Sequence, residues 1–231
     1  MVDEGPGLAE RLATVRSSIA DAARDAQRDP ATITTVVVTK FHPGSLVREL
    51  YALDVRDFGE SRHQEAAPKA AELADLSAGA HRPTWHFIGQ LQSKKAKQVR
   101  EYAHVLHSVD RDSLVGALAG PEPRDVFIQV NLTDDPERGG VAPLELDALA
   151  ERVASAEGLR LRGLMVVAPL GVEPRGAFEV VRGLSERLRV AHPGATALSM
   201  GMSGDFREAI LEGATHLRVG TEITGNRPTH G

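Results

Sequence analysis

Short apolar runs and amphipathic stretches alternate eight times along this chain, and that alternation constrains the fold more than any other feature. The runs cover 33–39, 56–58, 84–88, 105–109, 125–131, 161–167, 197–200 and 216–219. The longer ones are rich in Val, Ile and Leu, as strands buried on both faces are. Helical spacing fills the gaps at 45–53, 62–76, 93–102, 110–119, 143–156, 175–191 and 205–212. An additional helix comes first, over 8–28: Leu8, Leu12, Val15, Ile19 and Ala22 recur at its period, and Asp29-Pro30 ends it. Strands that alternate with helices imply a parallel sheet. Eight such units predict an α/β fold, a single (β/α)8 TIM-like barrel over residues 1–231 with an extra N-terminal helix. The alternative is an open doubly wound sheet, and no Gly-x-Gly-x-x-Gly follows the first strand to favour a dinucleotide-binding version. The Gly/Pro-rich stretch 132–143 reads as a loop after the fifth strand.

Composition narrows the function classes. The 27 basic and 32 acidic residues leave a net charge of -5, which suggests neither a nucleic-acid nor a membrane partner. Cysteine is absent, which excludes disulfides, thiolate nucleophiles and cysteine-ligated metals. The N-terminus lacks an apolar signal region, and no apolar run is long enough to span a bilayer. The expectation is a cytoplasmic protein.

Function in a barrel gathers at the carboxyl ends of the strands. Lys40 closes the first strand there, where desolvation makes a lysine a usable amine nucleophile; the same position also suits a lysine that snorkels to solvent. Ser203-Gly204 follows the seventh strand and Gly220-Thr221 the eighth. Those two loops commonly hold phosphate in this fold, because free N–H groups and close backbone approach favour an anion. Ser203 also suits a helix cap and Gly220 a plain turn. Arg218 shares a face with Gly220, and the pattern alone leaves open whether that face is inward. His86 is a lone strand histidine, a type more often buried and hydrogen-bonded than catalytic. The nine histidines show no metal-ligand spacing. Lys94, Lys95, Lys97 and Arg100 read as a solvated helix face.

These segments carry a resemblance that runs nearly end to end. VVVTKFHP ending at 43, DFGESRHQE at 57–65, WHFIGQLQSKKAK at 85–97, HSVD at 107–110, QVNL at 129–132 and GLMVVAP at 163–169 match, as do LSMGMSGDFREAILEGATHLRVGT at 198–221 and TG at 224–225. The chain resembles the pyridoxal phosphate (PLP) homeostasis proteins, the YggS/PROSC family, which are similar to the barrel domain of alanine racemase. The resemblance implies that Lys40 forms a Schiff base with PLP and that Arg218 faces the pyridine nitrogen. It implies that Ser203, Gly204, Gly220 and Thr221 hold the phosphate, and that Ile88 and Met165, with Ser61 and His86, line the pocket. An arginine cannot take up a proton from the ring, so it favours the unprotonated nitrogen and a weaker electron sink. The family usually has Asn where this chain has Ser61, and Asn where it has Lys94.

Three functions follow as expectations: a PLP-binding homeostasis protein without robust turnover, a PLP-dependent amino-acid racemase, or a Schiff-base phosphosugar-type barrel enzyme without PLP. A racemase of this kind needs a second domain that supplies a tyrosine base, and Tyr51 and Tyr102, both placed on outer helices, are the only tyrosines here. The expectation is therefore a monomeric carrier that is no enzyme, with PLP and PLP-dependent apo-enzymes as partners.

Overall fold

A computed structural model of the chain describes residues 6–78, 81–169 and 171–226. The strands are β1 (Thr34–Val38), β2 (Asp57–Glu60), β3 (Thr84–Phe87), β4 (Val105–Val109), β5 (Arg124–Gln129), β6 (Leu159–Met165), β7 (Ala197–Ser199) and β8 (His216–Val219). All pair in parallel and in chain order, and β1 pairs β8 to close the barrel. This is the architecture the alternation predicts. The helices are α1 (Leu8–Asp25), α2 (Gly44–Ala52), α3 (His63–Glu72), α4 (Ala96–Arg100), α5 (Asp112–Leu118), α6 (Leu146–Ser155), α7 (Pro174–Ala191), α8 (Phe206–Leu211) and α9 (Thr221–Thr224). Helix α1 precedes the barrel as expected and packs on α8 and α9.

Alternation along the strands divides the buried residues into two sets. Val37, Phe58, Phe87, Leu106, Ile128 and Leu217 belong to the large core between sheet and helices. Burial of each large side chain there contributes about 1.5–3 kcal/mol. The opposite face of the strands fills the barrel itself, where the apolar cluster is small: Val105, Phe127, Met165 and Ala197. Polar groups share that interior, and His86, His107, Ser199 and Arg218 are all buried.

Some boundaries depart from the sequence pattern for identifiable reasons. The helix expected over 62–76 ends at Glu72, and a 3-10 turn, Ala74–Ala78, continues it. Arg48 takes the Glu72 carbonyl, so that group leaves the helical ladder, and it also takes both carboxylate oxygens of Asp75. The helix expected over 93–102 is a 3-10 turn, Ser93–Lys95, followed by the short α4. Strand β6 starts two residues before the expected 161, because Leu159 and Arg160 pair in register with Arg124 and Asp125 of β5. The one-turn α9 after Gly220 has too little length to show a period.

Candidate functional site

Strand β1 aims Lys40 at the barrel mouth. Val36 and Val38 face inward: a Cβ built on Gly59 would stand 3.0 Å from Val36 Cγ1, 3.4 Å from Val38 Cγ2 and 3.4 Å from Ile88 Cδ1. Lys40 continues that face one step beyond the strand and is half-buried. Its Nζ lies 5.9 Å from the centre of the Phe41 ring. Phe41 has a φ of 69°, a left-handed conformation unusual for a large side chain.

Helix α3 holds the backbone on both sides of Lys40. Glu65 Oε2 accepts from the Phe41 N–H at 3.0 Å, and Lys69 Nζ donates to the Thr39 carbonyl at 2.9 Å. Glu65 and Lys69 are four residues apart, so one helix face reaches both points. Lys69 also pairs with Glu60 Oε1 at 2.5 Å, and Thr39 Oγ1 donates to the same oxygen at 2.7 Å. Both charged groups are buried, and Glu60 Oε2 has no partner. Burial pushes the Glu60 carboxyl up, against the pull of Lys69 and Thr39.

Arg218 faces inward, which settles the orientation that the sequence pattern left open. It is 5% exposed. Its Nη1 donates to Ser199 Oγ at 2.7 Å and its Nη2 to the Val166 carbonyl at 2.8 Å. Burial lowers its pKa to about 10, with Asp205 pulling the other way, so the guanidinium keeps its charge at neutral pH. The Arg218 N–H also donates to the Gly201 carbonyl, which ties the loop after β7 to β8.

The two loops adjoin Arg218. Gly201 has a φ of 93°, and a Cβ there would fall 2.7 Å from that of Ala209, so the turn before Ser203 requires glycine. Met202 N–H donates to Asp205 Oδ1 at 2.5 Å, which shapes the turn around Ser203 and Gly204. A Cβ at Gly204 would meet nothing within 4 Å, so its backbone presents an open face. Gly220 lies against β1, where a Cβ would stand 3.5 Å from that of Val38, and Thr221 opens α9 directly after it. Ser203 and Gly204 also border a cleft of about 580 Å³ that reaches Arg11 and Arg207.

The remaining expected residues sit at two depths. Ser61, Ile88 and Met165 close β2, β3 and β6 at the mouth. Gly89 packs so tightly on Ser61 that a Cβ there would fall 2.1 Å from the Ser61 carbonyl oxygen. His86 lies lower in the barrel, 2% exposed, with Nδ1 at 2.9 Å from His107 Nε2 and Nε2 at 2.9 Å from Asp57 Oδ1. Lys94 is exposed. The sequence reading missed Glu60, Glu65, Lys69, Asp57, His107 and Ser199. Most lie inside the matched segments, but only closure of the barrel shows which share a face.

The arrangement brings an amine, a permanent cation and two glycine-containing loops to one mouth. The chain is similar to known proteins along most of its length. The chain matches the family described as alanine racemase, N-terminal domain, over residues 12–228. It is 43% identical to the pyridoxal phosphate homeostasis protein of Pseudomonas aeruginosa over 225 residues, 95% of this chain and 96% of that protein. Among solved structures it resembles PipY of Synechococcus elongatus PCC7942 with PLP bound, at a TM-score of 0.79 and 37% identity, covering 95% of this chain and all of that one. The alanine racemase of Corynebacterium glutamicum shares the fold alone, with a TM-score of 0.69 at 15% identity over 93% of this chain and 62% of that longer one.

Proposed function

Because the chain belongs to the pyridoxal phosphate homeostasis family, built on the alanine racemase N-terminal domain, we propose that it binds PLP at the barrel mouth and serves the cellular supply of that cofactor. The observation that carries this reading is the convergence of Lys40, Arg218 and the loops 203–204 and 220–221 at the carboxyl ends of β1, β7 and β8. The donor set suits the group. PLP presents an aldehyde, a ring nitrogen and a phosphate, and the mouth offers an amine, a cation and a cradle.

When bound, PLP would supply an electrophilic aldehyde, with which a lysine amine can condense with loss of water. Lys40 is the residue placed to do so, and Glu65 and Lys69 fix the peptides on either side of it. Ser203, Gly204, Gly220 and Thr221 would hold the phosphate through N–H and hydroxyl donors. Arg218 would meet the ring nitrogen as a donor that keeps its own proton. Ser61, Ile88 and Met165 would bound the ring, with His86 supporting them from below.

The carrier role without robust turnover is part of this proposal. Tyr51 lies on α2, and Tyr102 follows α4 and stacks on His63 on the outside of the barrel. Burial raises the Tyr102 pKa further from a useful base. Neither tyrosine reaches the mouth, which supports a site that holds and releases PLP. The same reading extends to PLP-dependent apo-enzymes as recipients, to a monomer and to the cytoplasm. Among the described residues no helix is long and apolar enough to cross a membrane.

The test is the visible spectrum of the purified protein with PLP, before and after borohydride, followed by peptide mapping. A band that collapses on reduction and maps to Lys40 is the expected result. Lys40→Ala should abolish the covalent adduct while phosphate-anchored binding persists. A protein that stays colourless and unlabelled in excess PLP overturns the reading.

A further inference from the structure

Beneath Arg218 an unbroken line of hydrogen-bonding side chains crosses the barrel. Arg218 Nη1 meets Ser199 Oγ at 2.7 Å, and Ser199 Oγ meets His107 Nδ1 at 2.7 Å. His107 Nε2 meets His86 Nδ1 at 2.9 Å, and His86 Nε2 meets Asp57 Oδ1 at 2.9 Å. The line runs through β8, β7, β4, β3 and β2, from the mouth to the opposite rim, where the Asp57 side chain is 30% exposed.

The two ends dictate its direction. A guanidinium can only donate, and an ionised carboxylate can only accept. Asp57 therefore accepts from His86 Nε2–H. On a neutral ring that leaves His86 Nδ1 as an acceptor, so His107 donates through Nε2–H. His107 Nδ1 must then accept, and the Ser199 hydroxyl is its donor. Ser199 Oγ, its one proton spent on His107, can only accept from Arg218. Each link is satisfied with both rings neutral. The reverse direction needs two protons on His86, because the carboxylate has none to give. His107 is fully buried, and burial, reinforced by His86, His216 and Arg218, holds its pKa well below the usual imidazole range.

We infer that Ser199, His107, His86 and Asp57 form a one-way donor chain whose task is to hold Arg218 in place for the ring nitrogen of the cofactor. This rests on the role proposed above for Arg218. The four are positioning residues. Their effect is to make Ser199 an obligatory acceptor, so that the guanidinium cannot swing away from the mouth and the Ser199 proton cannot point toward the ligand. A serine without His107 behind it is free to donate in either direction.

The test starts from the cofactor-free protein, so that it does not depend on PLP. Nitrogen-15 NMR of the imidazoles near neutral pH should find both His86 and His107 as neutral Nε2–H tautomers. It should also find slowly exchanging guanidinium protons on Arg218. A doubly protonated His86, or an Nδ1–H tautomer of His107, overturns the direction of the chain. Three variants then break or preserve it: Ser199→Ala removes a link, His107→Phe removes both ring nitrogens, and His107→Gln keeps one acceptor and one donor. Circular dichroism and thermal unfolding confirm that each is folded. Ser199→Ala and His107→Phe should lose the slow Arg218 exchange and bind PLP about tenfold more weakly, with a shifted visible band. His107→Gln should restore all three readouts to near the original. Wild-type exchange, affinity and spectrum in folded Ser199→Ala and His107→Phe overturn the inference. A wild-type protein with the stated tautomers that takes up no PLP overturns the function reading instead, and leaves the chain to be judged on the Arg218 exchange.

Discussion

The two cations at the barrel mouth rest on supports of opposite kinds. Behind Lys40 the support is ionic and local. Lys69 and Glu60 form a buried pair, and Lys69 and Glu65 pin the peptides that flank Lys40. Behind Arg218 the direct contacts are a hydroxyl and a carbonyl, and the line of side chains continues through two imidazoles. The difference teaches what each cation is held for. A matched pair cancels its own field and fixes backbone, which suits an amine that has to reach one carbon atom. An arginine anchored on neutral groups keeps a positive field that no direct ion pair cancels, which suits attraction of an anionic ligand.

Breaking the ionic support should have the largest effect. Lys69→Met would strand the carboxylate of Glu60, which is 1% exposed, and would release the Thr39 carbonyl. Loss of one partner from a buried pair costs about 3–5 kcal/mol, mainly because an uncompensated charge stays in the interior. Urea unfolding should show that loss, and the double variant Glu60→Leu with Lys69→Met should recover most of it. A single variant with the wild-type midpoint would show that the pair does not carry the mouth. The uncharged counterpart sharpens the contrast: His107→Gln, which keeps the donor order, should lose much less.

Most of the scaffold was legible in the sequence, and the supports were not. Strand positions follow from runs such as TTVVV at 34–38, because burial on both faces demands continuous β-branched residues. Lys40 and the glycines of the last two loops were legible for a similar reason: they fall at fixed ordinal places of a barrel. The donor chain was hidden because its members come from five strands, and their shared face appears only when the register is set. His86 of β3 pairs with Val105 of β4, for instance, and Arg218 of β8 with Val36 of β1. The clamp was hidden for a different reason. Glu65 and Lys69 read as an ordinary i, i+4 pair on an amphipathic helix, and their targets are backbone atoms that no side-chain pattern reveals.

The second effect is a pH dependence carried by the neutral side of the comparison. Burial lowers the pKa of His216, next to His107 and Phe127 in the interior, to about 4, with His86 the next contributor. His107 shifts in the same direction. A histidine with a depressed folded pKa is neutral in the fold and takes up its proton on unfolding near pH 6.5. Between that value and about 4 the unfolded chain binds more protons, so stability is full above the window and falls as the pH drops through it. His216 alone accounts for about 3 kcal/mol across that range. Urea midpoints measured through it should decline in the wild type and decline less steeply in His216→Gln. An equal slope in both would remove His216 from the interior proton balance.

The smallest effect separates the fields of the two supports. Asp205 lies beside the loop at 203–204, where burial raises its pKa and the Met202 N–H and Arg218 oppose that rise. Its carboxylate shapes the turn, but its charge subtracts from the field of Arg218 where the phosphate is proposed to bind. Asp205→Asn retains an oxygen for the Met202 N–H while it removes the charge. The group is partly exposed, so solvent screens most of its effect, and affinity for inorganic phosphate or PLP should rise by only about twofold. The double variant Glu60→Leu with Lys69→Met provides the control, because it removes both charges of the pair, which lies behind the sheet. It should leave anion affinity unchanged. Titration of both folded variants with phosphate tests this directly. Equal gains in the two would mean that the Glu60–Lys69 pair is not locally neutral, and the distinction between the two supports would fail.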